Sequence, residues 1–339
     1  MDIDRPVTGD DDVLVHVHAA GLDQGAIHLM TGMPYLMRLG SGFRAPKRRV
    51  RGRELAGRVE AVGKNVTRFK PGDEVFGIGE GSCAEYACAR QSKLAPKPAS
   101  LTFEQTAAVA VSALTALQAL RDAGKVRAGQ KVLIIGAGGG VGTFAVQLAK
   151  AFGADVTGVC STTKTDLVRS IGADDVIDYT SEDFADGKHR YDLILDIAGN
   201  RSLSHLRRAL TPRGTLVLCG GEGGGRWLGG MDRSLRAIML SPLVSQHLRM
   251  LLANEREQDI QHLSELIETG KITPVIDRTY PLSETSAAMR HLADGHASRE
   301  GGHRCLGAGR AHFSCPQRRL CLPPPRHPRP VTRGSAQQT

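Results

Sequence analysis

The chain has 339 residues, 41% hydrophobic and 23% charged, and carries a formal charge of +9. Residues 299–339 hold eight arginines against the single acid Glu300, so +7 of that charge belongs to the tail and +2 to everything before it; a near-neutral body argues against a nucleic-acid binder. No apolar run is long enough for a membrane span, the N-terminus lacks a secretory-leader pattern, and the seven cysteines lack framework spacing and read as reduced thiols, so a cytoplasmic two-domain protein is expected.

Residues 12–19 alternate as a strand, with Val13, Val15 and Val17 on one face and Leu14, His16 and His18 on the other. The two histidines have a spacing that can chelate metal, but no third ligand accompanies them, and an exposed sheet face is the favoured reading. Between Arg38 and Arg53, with Arg44, Lys47, Arg48, Arg49 and Arg51, lies a basic stretch that reads as a solvated loop, with attraction of an anionic cofactor second. Residues 59–62 and 74–76 are short strands, set off by Gly63-Lys64-Asn65 and Pro71-Gly72-Asp73, and give this third of the chain a β-rich, partly barrel-like texture. Cys83 and Cys88 have no second pair to complete a tetrahedral metal site and are expected as small core residues. Residues 101–120 then read as two helical pieces.

An unbroken apolar run, Val132-Leu133-Ile134-Ile135, stops at Gly136-Ala137-Gly138-Gly139-Gly140-Val141-Gly142. A helix with Val141, Ala145, Leu148, Ala149 and Phe152 on one face starts at once. Strand, glycine turn and helix in this order place backbone N–H groups at a helix N-terminus, where the macrodipole favours a pyrophosphate. Ala137, Gly139 and Gly142 fill the three positions that serve a tight turn, close approach of a phosphate and close packing of helix on strand. Strands at 155–160, 175–179, 191–197 and 215–219 alternate with helices at 165–171 and 203–210, the pattern of a doubly wound parallel sheet, an α/β fold. A nucleotide-free α/β domain is the bland alternative. A reader of NAD places an acid about 20 residues past the glycines. Here that stretch is Cys160-Ser161-Thr162-Thr163-Lys164, whose hydroxyls and ammonium suit the 2′-phosphate of NADPH; a polar loop with a helix cap is the alternative.

Several segments together resemble the zinc-independent, quinone oxidoreductase branch of the medium-chain dehydrogenases/reductases. They are His18-Ala19-Ala20-Gly21-Leu22-Asp23, Gly57-Arg58-Val59-Glu60-Ala61-Val62-Gly63, Lys70-Pro71-Gly72-Asp73-Glu74-Val75-Phe76-Gly77, Ala84-Glu85-Tyr86-Ala87, Leu114-Thr115-Ala116, the glycine turn with Gln147-Leu148-Ala149-Lys150, and Leu167-Val168-Arg169-Ser170-Ile171-Gly172-Ala173-Asp174. The likeness runs from about Asp4 to His296. It implies a β-rich GroES-like catalytic domain built from both chain ends around an inserted Rossmann domain. The divisions expected are 1–105 catalytic, 106–253 nucleotide-binding, 254–297 catalytic again, and 298–339 a disordered basic tail. The resemblance implies that Thr115 touches the phosphate–ribose end of the nicotinamide half. Ala137, Gly139, Gly140, Val141 and Gly142 bind the pyrophosphate, and Ser161, Thr162, Lys164 and Tyr179 complete the NADPH contacts with Ala198, Gly199 and Gly220 at the nicotinamide. Tyr35 matches a tyrosine beside the substrate and would donate a hydrogen bond to a carbonyl; a loop tyrosine covering apolar surface is the open alternative. Asp23 stands where relatives usually carry Asn. Zinc-dependent relatives carry a Cys and the His of Gly-His-Glu where this chain reads Gly21-Leu22-Asp23-Gln24 and Gly52-Arg53-Glu54, and arginine cannot ligate a cation, so no metal is expected.

The implied function is hydride transfer from NADPH, without metal, to a quinone or α,β-unsaturated carbonyl. Alternatives are a zinc-less NAD(P)-dependent alcohol dehydrogenase, a non-catalytic NADPH-binding pseudoenzyme, and a nucleic-acid-associated protein acting through its basic tail. The expected partner is a small molecule, with no nucleic acid and no membrane, and a homodimer is expected by analogy. Gly223-Gly224-Gly225-Arg226-Trp227 is an insertion that reads as a lid over the substrate or a surface loop. After Ser298 the composition turns abruptly to Arg, Pro and Cys, with Pro323-Pro324-Pro325 and no periodicity; a reading-frame shift near residue 298 is the hypothesis, and relatives carry another strand before Asp4.

Overall fold

A computed structural model of the chain describes residues 3–35, 38, 50–220, 227–297 and 311–314. The first third forms β1 (Asp12–Gly21), α1 (Gln24–Thr31), β2 (Glu54–Val62), β3 (Glu74–Ile78), β4 (Tyr86–Arg90) and β5 (Leu94–Pro96). Helices α2 (Phe103–Ala107) and α3 (Ala110–Gln118) lead into β6 (Lys131–Ile135), α4 (Gly140–Ala151), β7 (Asp155–Cys160), α5 (Thr165–Ser170), β8 (Asp175–Asp178) and β9 (Tyr191–Asp196). Next come α6 (Leu203–Ala209), β10 (Leu210–Leu218), α7 (Met231–Leu240) and β11 (His247–Met250), then the return through α8 (Glu257–Glu268), β12 (Arg278–Pro281), α9 (Thr285–Ala297) and β13 (Ala311–Ser314).

The first sheet has the order β12-β13-β1-β2-β3-β5, with β4 also on β1. The alternation of β1 buries Val13, Val15 and Val17 in one core with Leu55, Val75 and Leu94. Strand β2 starts at Glu54, well before the predicted 59, because Gly57 hides a continuous pairing: a Cβ there would sit 2.1 Å from the His16 carbonyl oxygen, so only glycine lets β1 and β2 close up. The histidine face is not the exposed one expected. His16 stacks on Tyr86 at 5.0 Å and His18 on Phe103 at 4.3 Å, and α2 covers this face. No strand is predicted after Ser298, yet Ala311–Ser314 lies between β1 and β12, antiparallel to the first and parallel to the second. Four residues are too few to display a period, and backbone pairing asks little of side chains.

The second sheet is wholly parallel, in the order β11-β10-β9-β6-β7-β8. Central β6 is buried on both faces, which is why it reads as a continuous apolar run. Val132 and Ile134 pack with Phe144, Leu148, Leu117 and Leu263 from α4, α3 and α8, whereas Leu133 and Ile135 pack with Leu206 and Ala237 from α6 and α7. The strand order reverses between β6 and β9, and a crevice opens there beyond the carboxyl ends of the strands, the place where doubly wound sheets bind ligands. Among the described residues, no helix is long and apolar enough to cross a membrane.

Candidate active site

The glycine turn closes that crevice from below. Gly136 ends β6 with φ +92°, and Gly139 donates its N–H to the Gly136 carbonyl at 3.0 Å. Gly139 then begins α4 with no side-chain cap, so the first-turn N–H groups of Gly140, Val141 and Gly142 are offered to an anion. A Cβ on Gly142 would lie 2.1 Å from the Gly136 oxygen, which ties the helix directly onto the turn. Ala137 is fully buried and donates its N–H to the Val159 carbonyl at 3.0 Å. This cradle fits a pyrophosphate: it has donors, a dipole and no side chain in the way. Thr115 lies half-buried on α3, which packs on α4, and its hydroxyl donates to the Val111 carbonyl at 2.7 Å.

Beyond β7, Ser161 and Thr163 hold their hydroxyls 3.2 Å apart, and the Lys164 stem runs alongside the turn, where a Cβ on Gly138 would meet it at 2.9 Å. Sequence spacing shows no carboxylate in this loop, but the fold brings two to it. Thr162 donates to Asp178 at 2.5 Å, and Asp178 also accepts from the Thr180 hydroxyl and N–H; these hydrogen bonds, Thr162 foremost, hold its carboxyl below the usual carboxylate range. Lys164 Nζ lies 3.6 Å from Asp277, on the return to the catalytic domain. Tyr179 is half-buried against the core that contains Ile177 and Phe184. Cys160 and Cys219, at the ends of β7 and β10, are poor nucleophiles. Burial pushes the Cys160 thiol up to about 11 and the Cys219 thiol further still.

At the other end of the crevice, Ala198 and Gly199 follow β9 and Gly220 follows β10. Ala198 donates its N–H to the Ile135 carbonyl, Gly199 has φ +71°, and a Cβ on Gly220 would sit 2.3 Å from the Ile197 oxygen. Beneath these loops Asp196 is fully buried, accepts from Gly199 N–H at 3.0 Å and pairs with Arg233 of α7 at 2.6 Å. Arg233 also donates to the carbonyls of Arg201 at 2.8 Å and Gly220 at 3.3 Å, so one guanidinium ties both loops to one carboxylate. Burial pushes the Asp196 carboxyl up, and Arg233 pulls against it. The sequence held one signal for this pair, an acid closing the apolar run Leu193-Ile194-Leu195 at Asp196.

On the catalytic-domain side, Tyr35 is half-buried. It meets Trp227 edge to face at 5.4 Å, and the Arg38 guanidinium lies 4.5 Å above its ring. Gly229 lies against Pro34, so the chain that enters α7 reaches across to the Tyr35 loop. Gly221, the glycines of the predicted insertion and most of the basic stretch between Arg38 and Arg53 lie outside the described residues. Asp23 caps α1 by accepting from Ala26 N–H at 2.8 Å. Arg53 forms an ion pair with Glu255, which also binds Lys93 at 2.5 Å. No group of three or more His, Cys, Asp or Glu among the described residues is arranged to hold a metal ion.

Residues 9–99 match the family profile of an alcohol dehydrogenase GroES-like domain, and residues 171–298 that of a zinc-binding dehydrogenase. The chain is 31% identical over 312 residues to the quinone oxidoreductase of Homo sapiens, covering 87% of this chain and 89% of that one. The chain belongs to the quinone oxidoreductase-like branch of the medium-chain dehydrogenases/reductases. It is also 35% identical over 269 residues to the mitochondrial NAD(P)H oxidoreductase RTN4IP1 of Mus musculus, covering 73% and 68% of the two chains. Among solved structures it is similar to the quinone oxidoreductase from Coxiella burnetii (TM-score 0.75, 27% identity, 93% of both chains). It is likewise similar to mycobacterial Rv1454c, solved in complex with NADPH (TM-score 0.75, 25% identity, 93% and 94% covered). Membership makes the first sheet the GroES-like domain and the second the Rossmann domain, and makes the protein an oxidoreductase.

Proposed function

We propose that this oxidoreductase transfers hydride from NADPH, without a metal ion, to a quinone or an α,β-unsaturated carbonyl. The observation that carries the proposal is the uncapped start of α4 at the switch point, with Lys164 beside the same turn. NADPH supplies the hydride from C4 of its nicotinamide ring; a relative of the same fold was solved with that cofactor. The first-turn N–H groups of α4, those of Gly140, Val141 and Gly142, bind the pyrophosphate above buried Ala137, and Gly139, with no side chain, lets it come close to the turn. Lys164, with the Ser161 hydroxyl, takes the 2′-phosphate, while the Thr162 hydroxyl turns to it only by leaving Asp178; Tyr179 flanks that end, and Thr115 meets the phosphate–ribose end of the nicotinamide half. Ala198, Gly199 and Gly220 present backbone and small side chains, so a flat ring can approach closely. Tyr35 Oη donates to the substrate carbonyl oxygen, and Trp227, edge to face against it, steadies the Tyr35 ring. Two aromatic rings at the mouth suit a planar conjugated acceptor over a simple alcohol.

The metal-free reading rests on Arg53, which stands where zinc-dependent relatives carry a histidine and is engaged by Glu255. The free thiols Cys83, Cys88, Cys160 and Cys219 suit a reducing compartment and keep a cytoplasmic location as part of the proposal. A second copy of the chain is the proposed protein partner; nucleic acid and membrane are not. Calorimetric titration with NADPH and NADH tests the cofactor assignment: NADPH should bind about tenfold or more tighter, a difference of one phosphate contact to a cation. Equal affinity would overturn the assignment of NADPH as the preferred cofactor.

A further inference from the structure

We infer that Asp277 is a specificity-determining residue that competes with the 2′-phosphate of the cofactor for Lys164, an inference that rests on reading Lys164 as the ligand of that phosphate. After α8 the chain returns to the catalytic domain across the nucleotide domain. Ile272 is buried in the core with Ile260 and Leu263. Thr273 is then held by Gln147 of α4 through a matched pair of hydrogen bonds: Gln147 donates to the Thr273 carbonyl at 3.0 Å and accepts from its N–H at 2.7 Å. The strap is therefore fastened to the helix whose N-terminus receives the pyrophosphate. Asp277 follows within the same strap, with Oδ1 3.6 Å from Lys164 Nζ and Oδ2 3.2 Å from His291 Nε2 on α9.

Lys164 and Asp277 keep 25% and 32% of their side-chain surface exposed, so the pair is open to a competing anion. A phosphate arriving at Lys164 meets a carboxylate within the screening distance of salt, and the two repel. To bind there, NADPH must draw Lys164 away from Asp277. The 2′-hydroxyl of NADH brings no charge and can donate to the carboxylate. Asp277 thus lowers the preference for NADPH that the loop at Ser161–Lys164 would otherwise give. Neither residue reveals this from sequence spacing, because one lies in the Rossmann domain and the other on the returning strap.

The test is calorimetric titration of the full-length chain and of its Asp277→Asn, Lys164→Ala and doubly substituted forms with NADPH and with NADH. Asp277→Asn should tighten NADPH by about three- to tenfold, the scale of one part-exposed charge pair, and leave NADH within about twofold. Lys164→Ala should weaken NADPH, and in that background Asp277→Asn should lose most of its effect, the signature of a coupled pair. If Lys164→Ala weakens NADPH while Asp277→Asn changes nothing, the inference about Asp277 fails and the reading of Lys164 stands. Equal tightening of NADPH and NADH would also overturn it, because Asp277 would then act on the strap and not on the phosphate. If Lys164→Ala leaves the NADPH to NADH ratio unchanged, the assignment of Lys164 fails and the inference with it.

Discussion

Gly142 and Arg233 hold the two ends of the crevice by opposite means, one by having no side chain and the other through a long one. A methyl group at Gly142 would press into the backbone oxygen of Gly136, which cannot swing aside. Gly142→Ala should therefore lower stability by about 1–3 kcal/mol and weaken NADPH, measured by thermal unfolding and titration on the same preparation. Arg233→Met would leave Asp196 buried without its cation, and should lower stability by about 3–5 kcal/mol. The sign of its pH dependence follows from the direction of the Asp196 shift. A carboxyl raised in the folded state binds more protons there than in the unfolded state, so the stability of this variant falls as pH rises through the raised value. Arg233→Lys keeps the charge but not the fork that reaches the Arg201 and Gly220 carbonyls. It should keep the fold and NADPH affinity while lowering kcat, which is the split expected of a positioning residue. The glycine turn was legible because its chemistry is local, a strand, a turn and a helix in one stretch. Arg233 and Asp277 were not, because each acts on a loop from another part of the chain.

At the scale of elements, the histidine face of β1 carries the clearest pH dependence. Burial, with smaller effects from His16 and Arg58, lowers His18 from its ordinary 6.5, against the opposing pull of Glu74 and Glu104. The unfolded chain then takes up its proton first, so this group withdraws stability as pH falls from 6.5 toward the lower folded value and is neutral above it. Melting temperature should drop as pH falls below the ordinary histidine value of 6.5, and His18→Phe, which keeps the stack on Phe103, should flatten that slope. Alternation in β1 and the buried run of β6 predicted both strands, since a half-buried and a fully buried strand write different patterns. The early start of β2 and the presence of β13 escaped because glycine in one case and brevity in the other leave no period to read. Trp227 was visible as the only tryptophan, but its meeting with Tyr35 depends on how the two domains face each other.

At the scale of the whole molecule, α7 leaves an apolar face uncovered among the described residues. Ser234 and Ala237 face the sheet, whereas Leu235, Ile238 and Met239 are 52%, 47% and 75% exposed, with Leu243 beyond them. The neighbouring β11 is the end strand of its sheet among the described residues. An open strand edge beside an apolar helix face suits a two-fold partner of the same sequence. A dimer should be found by light scattering on a sizing column, and Ile238→Glu should yield a monomer that still binds NADPH.

The most direct test of the account is the turnover of NADPH, followed by its absorbance, with the purified chain and a soluble quinone, an enone or, with NADP⁺, a simple alcohol. We predict oxidation of NADPH in proportion to the quinone or enone reduced, little reaction with the alcohol, and loss of rate in Tyr35→Phe. Binding of NADPH with no turnover of any acceptor would contradict the account and leave a protein that holds the cofactor without using it.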